Sequence, residues 1–368
     1  MDQTSYNVYL PSYSIGADCY REIPHVTRFF GKTAAVIGGV TAMAKARPAL
    51  EEGVADSDVV LTGFLPYGGD STYENGDALI ANPLVRRADM LFGVGGGRAC
   101  DTVKYVADKL DKPLFTFPTV ASNCASVTAI SVIYNPDGSF HEYYYPKLTN
   151  HCFINTAVIA GSPEKLLWAG IGDALSKECE AVFSSRDDRL SHTPLMGRQL
   201  SRICTDPLVE YGREALGAIR AQKPSFALEQ VTLDIIVSTG LVSNMTTTVD
   251  DYYYNSTIAH CVYYGSTVTE RGHKHLHGEV VSLGVLCLLQ FDGQQDELAR
   301  LMRFNRSIGL PICFDDIEID ESEFAGMADK FETTTEWAHR PAGVTREGFL
   351  QAMRETNAAG RSFKMKNT

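Results

Sequence analysis

The chain has 368 residues, more than one hydrophobic core usually serves, so two domains are expected. Its content of 44% hydrophobic and 21% charged residues is that of a soluble globular protein. A net charge of −12, from 33 basic and 45 acidic residues, argues against a nucleic-acid partner and against electrostatic docking on anionic membranes.

Nine cysteines occur without a C-x-x-C pair, which points to reduced thiols and a cytoplasmic home. The opening Met1-Asp2-Gln3-Thr4-Ser5 lacks the basic and apolar regions of a signal peptide. The longest apolar run, Val280 to Leu289, is too short to span a bilayer and reads as a core helix.

In chain order, Lys32 to Ile37 reads as a buried strand and Thr41 to Leu50 as a helix. Val59 to Phe64, Asp89 to Val94 and Pro113 to Phe117 read as further strands. Apolar strands alternating with helices predict a parallel sheet covered on both faces, a Rossmann-like α/β domain. Between the third strand and the next helix lie Gly95-Gly96-Gly97, in the run Phe92 to Lys104. Three glycines add nothing to packing and raise the entropic cost of folding. They suit a sharp turn that lets a pyrophosphate reach backbone N–H groups at a helix start. A tight βα turn without a ligand is the competing reading, and the spacing is not G-x-G-x-x-G. Ser131 to Tyr134 and Phe140 to Tyr144, joined by Asn135-Pro136-Asp137-Gly138, read as a hairpin whose positive φ falls at Gly138.

Beyond residue 160 strand signals nearly vanish. Ser162-Pro163 reads as an N-cap followed by a first-turn proline. Helices are expected over 163–181, 207–221, 227–246, 250–264, 278–291, 294–308, 321–331 and 346–356. The expected organisation is an α/β domain, 1–160, and an all-helical domain, 161–368, with the active site in the cleft between them.

Three residues of the helical half invite metal chemistry. Asp173 sits in the apolar, small-residue stretch Ala169 to Leu175, where a lone carboxylate needs a partner. His260 lies among apolar neighbours in Thr257 to Val262, and His277 opens the next helix. One carboxylate and two imidazoles suit a divalent ion with an open position. Spacing alone leaves the bland reading open: a hydrogen-bonded core histidine, a solvated His273/His275/His277 loop and a capping aspartate.

Together these segments resemble the glycerol dehydrogenase branch of the iron-containing alcohol dehydrogenase superfamily. The resemblance rests on Gly95-Gly96-Gly97 with Asp101 and Lys104, Pro118-Thr119-Val120-Ala121-Ser122, Ser131-Val132-Ile133-Tyr134, Ala169-Gly170-Ile171-Gly172-Asp173, His260, His277-Gly278-Glu279, and Ser307-Ile308-Gly309-Leu310-Pro311. It implies NAD or NADP as cofactor and one divalent metal, zinc, held by Asp173, His260 and His277. Branches that use iron place a further histidine where this chain has Lys177. It also implies that Gly39, Gly95, Gly96, Gly97, Asp101, Thr119, Thr128, Ile130 and Tyr134 line the cofactor. The reaction implied is metal-assisted hydride transfer on a small-molecule alcohol, in a homo-oligomer, with no certain proton acceptor among the side chains.

Three departures bear on substrate and cofactor. Where glycerol dehydrogenases carry S-T-D-A, this chain reads Ser122-Asn123-Cys124-Ala125, so a carboxylate that bonds a polyol is missing. Cysteine there resembles hydroxycarboxylate dehydrogenases that reduce 2-oxo acids. Cys124 reads as a small neutral filler, with nucleophile and fourth ligand as alternatives. Gly39 stands where an aspartate would repel a 2′-phosphate, which admits NADPH. Tyr263 replaces the second histidine of H-x-x-H-N-G, within an unusually aromatic stretch that follows Asp250-Asp251. The substrate is thus a 2-hydroxy acid or a vicinal diol. A dehydroquinate synthase-like cyclase shares the architecture but needs a basic cluster that these segments lack. A degenerate binding protein is the third reading.

Overall fold

The computed structural model describes residues 7–248 and 252–366. Eight strands are present: β1 (Tyr13–Gly16), β2 (Thr33–Gly38), β3 (Val60–Pro66), β4 (Met90–Gly95), β5 (Leu114–Pro118), β6 (Ser131–Tyr134), β7 (Phe140–Tyr144) and β8 (His151–Asn155). Six of them form one parallel sheet in the order β1-β8-β5-β4-β2-β3, and β6 and β7 form the antiparallel hairpin. Strand alternation assigns the two cores. Val36, Phe92, Phe115 and Phe153 face one layer, while Ala35, Ile37, Leu91 and Leu114 face the other. Phe117 and Phe153 stack with centroids 5.0 Å apart, joining β5 to β8 inside the first layer.

Four of the large-sheet strands and the hairpin lie where the apolar runs predict, and Gly138 takes φ +84°. The sequence reading lacks β1 and β8. Their polar ends hide the pattern: His151 is buried because Ser12 Oγ and Ser14 Oγ hydrogen bond its Nδ1 and Nε2, at 2.8 and 2.9 Å. Asn155 caps the following short helix through the N–H groups of Ala157 and Val158. Ser162 is not the cap expected of it: the helix opens at Glu164 and the Ser162 hydroxyl makes no hydrogen bond.

The chain forms two compact units, Met1–Leu167 with Glu214–Asn244, and Trp168–Arg213 with Met245–Thr368. The sequence reading cuts once, after residue 160. The helical stretch ending at Asn244 joins the first unit because the Asn244 amide clasps Val127 O and Ala129 N, at 2.9 and 3.0 Å. That stretch, Phe226–Thr246, is long and apolar enough to cross a membrane by length and composition, but 61% of its apolar window is buried inside the protein.

In the second unit, the helix expected over 163–181 is two segments, Glu164–Ala174 and Ser176–Ser185, and Leu175 between them keeps helical backbone angles. The helix expected over 250–264 is shorter, Ile258–Ser266. Residues 249–251 lie outside the described residues, and 252–257 are not helical. Side chains take the backbone groups a helix would need: Lys177 donates to Asn255 O, and Thr257 N donates to Glu180.

Candidate metal centre

Glycines set the positions of the three candidate ligands. Where Glu164–Ala174 meets the helix His277–Phe291, a methyl on Gly278 would fall 1.9 Å from Ala169 O, and one on Gly172 would fall 2.3 Å from Gly278 O. A methyl on Gly284 would fall 2.1 Å from Ala259 O, on the helix Ile258–Ser266. Backbone therefore meets backbone at both crossings, and each crossing adjoins a candidate ligand: Asp173 and His277 at one, His260 at the other.

The ligand atoms of Asp173, His260 and His277 lie within 4.8 Å of one another. Asp173 Oδ1 is 3.1 Å from His277 Nε2 and 3.7 Å from His260 Nε2. Donors about 2.05 Å from a tetrahedral zinc lie ~3.4 Å apart, so the cluster has the dimensions of an ion site. Burial disfavours charge on Asp173, yet the two imidazoles beside it hold its carboxyl well below the usual range. Burial likewise opposes a proton on His260, but Glu180 and Asp173 push its pKa up to about 10.

Glu180 is the site residue that the sequence reading missed. Its carboxylate is wholly buried. Oε2 lies 2.6 Å from His260 Nδ1, and Oε1 accepts from Thr257 N at 2.7 Å and His260 N at 3.1 Å. An imidazole held at Nδ1 by a carboxylate turns Nε2 toward the cluster, where a bound cation would replace the proton, the arrangement found behind metal-bound histidines. The signal was available in outline. Glu180 stands seven residues after Asp173, two turns on, in a helix whose neighbours Ala181 and Phe183 are buried.

Other residues of the second unit fall into place around this cluster. The Tyr263 ring meets His277 edge to face, with centroids 4.2 Å apart. His275 is held by Glu279 at 2.9 Å and His273 is exposed, so neither joins the cluster. Lys177 is buried, with Nζ bonded to Asn255 Oδ1 at 2.6 Å and to Asn255 O at 3.1 Å.

In the first unit, Gly95 ends β4 with φ +151°, and Gly96 is the N-cap of the helix Gly97–Leu110 with no side chain capping it. A methyl on Gly97 would fall 2.7 Å from Asn123 Nδ2, so the loop is closed over by the Asn123-Cys124 turn. Thr119 N donates to Gly95 O, which holds the next strand end to the loop. The Asp101 carboxylate, by contrast, is committed inward. It pairs with Lys104 Nζ at 2.9 Å, and that ammonium also reaches Thr128 O and Ile130 O. Asp101, Thr128 and Ile130 are thus gathered on one buried lysine. Tyr134 lies under the Arg98 guanidinium, 4.6 Å from its ring centroid. Gly39 caps the helix Val40–Val54 at the end of β2, and a methyl there would touch only Ala42 and Tyr67 at 3.7 and 3.8 Å. Cys124 is half-buried.

The family model for iron-containing alcohol dehydrogenases matches residues 11–156. The glycerol dehydrogenase of Thermotoga maritima is 31% identical over 308 residues, covering 81% of this chain and 82% of that protein. The chain belongs to the iron-containing alcohol dehydrogenase family. Hydroxycarboxylate dehydrogenase A of Escherichia coli is also 31% identical, over 63% of each chain. A probable glycerol dehydrogenase of Sinorhizobium meliloti superposes with a TM-score of 0.82 at 27% identity, over 97% of this chain and all of the other. This family member is an oxidoreductase acting on alcohols, and the family works with NAD(P) and a divalent metal.

Proposed function

We propose that the protein interconverts a small 2-hydroxy acid and its 2-oxo acid by hydride transfer with NAD(P), at one zinc ion held by Asp173, His260 and His277. The observation that carries this reading is the three-donor cluster, one carboxylate and two imidazoles at ion-site spacing, braced by a buried carboxylate. Bound NAD(P) would supply the hydride acceptor in the oxidative direction, with the hydroxyl proton released to solvent. The products are the carbonyl compound, the reduced cofactor and a proton. A zinc ion supplies a Lewis acid for the alcohol or carbonyl oxygen.

The chain's own groups do the rest. Glu180 holds the His260 ring by Nδ1, which would leave Nε2 to hold the ion. Tyr263 fixes the His277 ring by edge-to-face contact. The backbone of Gly95, Gly96 and Gly97 receives the pyrophosphate at a helix N-terminus. Gly39 leaves room beside the adenosine ribose, which favours NADPH or tolerance of both cofactors. Lys177 supports zinc over iron, because an ammonium has no lone pair with which to replace the fourth ligand of the iron branches.

Cys124 supports an acid over a polyol, since no carboxylate stands there to bond a second hydroxyl or repel an anion. The Escherichia coli relative, a hydroxycarboxylate dehydrogenase, agrees with that choice, while the Thermotoga maritima glycerol dehydrogenase favours glycerol as the second reading. We place the enzyme in the cytoplasm as a homo-oligomer. The test is cofactor oxidation at 340 nm with NADPH and NADH against 2-oxobutyrate, 2-oxoglutarate and dihydroxyacetone, with and without a chelator. Chelator-sensitive turnover of the 2-oxo acids supports the proposal. Turnover of dihydroxyacetone alone restores the glycerol reading, and silence with both cofactors brings forward the cyclase.

A further inference from the structure

Among the described residues, Lys177 is a buried lysine with no carboxylate bonded to its Nζ. It is 5% exposed, and its Nζ bonds only two oxygens, both of the neutral residue Asn255. Of the two acids on its own helix, the adjacent Glu178 forms no ion pair with it, and Glu180 spends its oxygens on His260 and Thr257. Lys104, the other fully buried lysine described above, has Asp101 as its counter-ion. A buried ammonium without an anion is costly unless something fills the place.

Its place in the fold is specific. Lys177 follows Asp173 by four residues through a junction that keeps helical angles, so the two share a face about 6 Å apart along the axis. Side chains on a helix lean toward its N-terminus, which sends the Lys177 stem back over the turn that bears Asp173. Asn255 holds the ammonium from the other side, five residues before His260. Two of its three N–H donors are taken by Asn255, which leaves one for a further acceptor.

We propose that Lys177 is the specificity residue that receives the carboxylate of a 2-hydroxy or 2-oxo acid, with Asn255 holding its ammonium in place. The inference rests on the acid reading of the function. A substrate carboxylate there neutralises the buried charge, whereas a neutral polyol leaves it uncompensated. The same charge would therefore attract the acid and discriminate against its uncharged analogue.

The experiment compares 2-oxobutyrate with 1-hydroxybutan-2-one, the same skeleton with a hydroxymethyl in place of the carboxylate. In Lys177→Met the ratio of kcat/KM for the acid over the hydroxyketone is expected to fall about 100-fold, mostly through KM, as for loss of a charge-assisted bond. Lys177→Arg should recover part of that ratio. Asn255→Asp keeps the lysine but gives it an internal counter-ion, so it should produce the same selective loss even if Lys177→Met does not fold. Calorimetric titration of 2-oxobutyrate into the NAD-loaded protein, where no hydride can move, should show the same weakening with zinc content unchanged. Equal loss on both substrates, or none on either, overturns the assignment while leaving the acid reading intact. A wild-type enzyme that turns over only the hydroxyketone overturns the acid reading, and the lysine's role with it.

Discussion

The two compact units build their candidate sites from different materials. The first offers backbone. Its Gly95-Gly96-Gly97 turn is defined by what it lacks, and the one nearby carboxylate, Asp101, is spent on Lys104. The second offers charged side chains, Asp173, His260 and His277, ordered by the buried Glu180. Substitutions in the first should act through shape and cofactor affinity. Substitutions in the second should act through charge and metal affinity.

The largest effect should come from the charged unit. His260→Ala removes one of three donors, and kcat/KM is expected to fall more than about 1000-fold, since a Lewis acid is worth several kcal/mol in the transition state. Circular dichroism should show the fold intact. Near-normal turnover would remove His260 from the ligand set. A smaller effect should follow at one remove. Glu180→Gln keeps the volume but loses the charge behind His260, and zinc affinity by dye competition should weaken about 10- to 100-fold. If affinity holds while melting temperature drops, Glu180 serves packing alone.

On the backbone side the expected effects are gentler. Gly39→Asp adds a carboxylate where there is room for one, and the NADH-to-NADPH preference should rise about 10-fold, the worth of one charged contact. An unchanged ratio would show that Gly39 does not face the ribose. Least felt in turnover is a stability term within the sheet. Burial lowers the His151 pKa to about 4, against 6.5 for the free side chain. The unfolded chain therefore binds the proton first as pH falls. Stability from His151 is complete above about pH 6.5 and is lost progressively toward pH 4. Urea melts of wild type and His151→Gln should converge over that interval, and parallel curves would contradict it.

The same division decides what the sequence made readable. Backbone-driven features announce themselves, since apolar runs ending in glycine predicted β2, β4 and the glycine turn between β4 and the next helix. The candidate ligand trio was readable only once several motifs were taken together. Strands β1 and β8 escaped because His151, Ser12 and Ser14 look like a polar loop until they bond one another across the sheet. Glu180 escaped, and so did the burial of Lys177, because a charged side chain in a helix ordinarily faces water, and only tertiary contacts reveal that these two are buried. The helix expected from residue 250 failed for a related reason: Lys177 and Glu180 claim backbone groups that a helix would have used.

The glycine crossings have an evolutionary reading. Gly172, Gly278 and Gly284 leave no space for even one added carbon, and each contact adjoins a candidate ligand. Change at those positions would displace helices rather than side chains, so they are the positions least free to vary. Lys177, Tyr263 and Cys124 lie off those crossings and can vary one at a time. Selection of this enzyme for a new substrate should accumulate replacements among the second group and none among the first. Its lineage could thus shift between acids and polyols while the three helices stay locked in place.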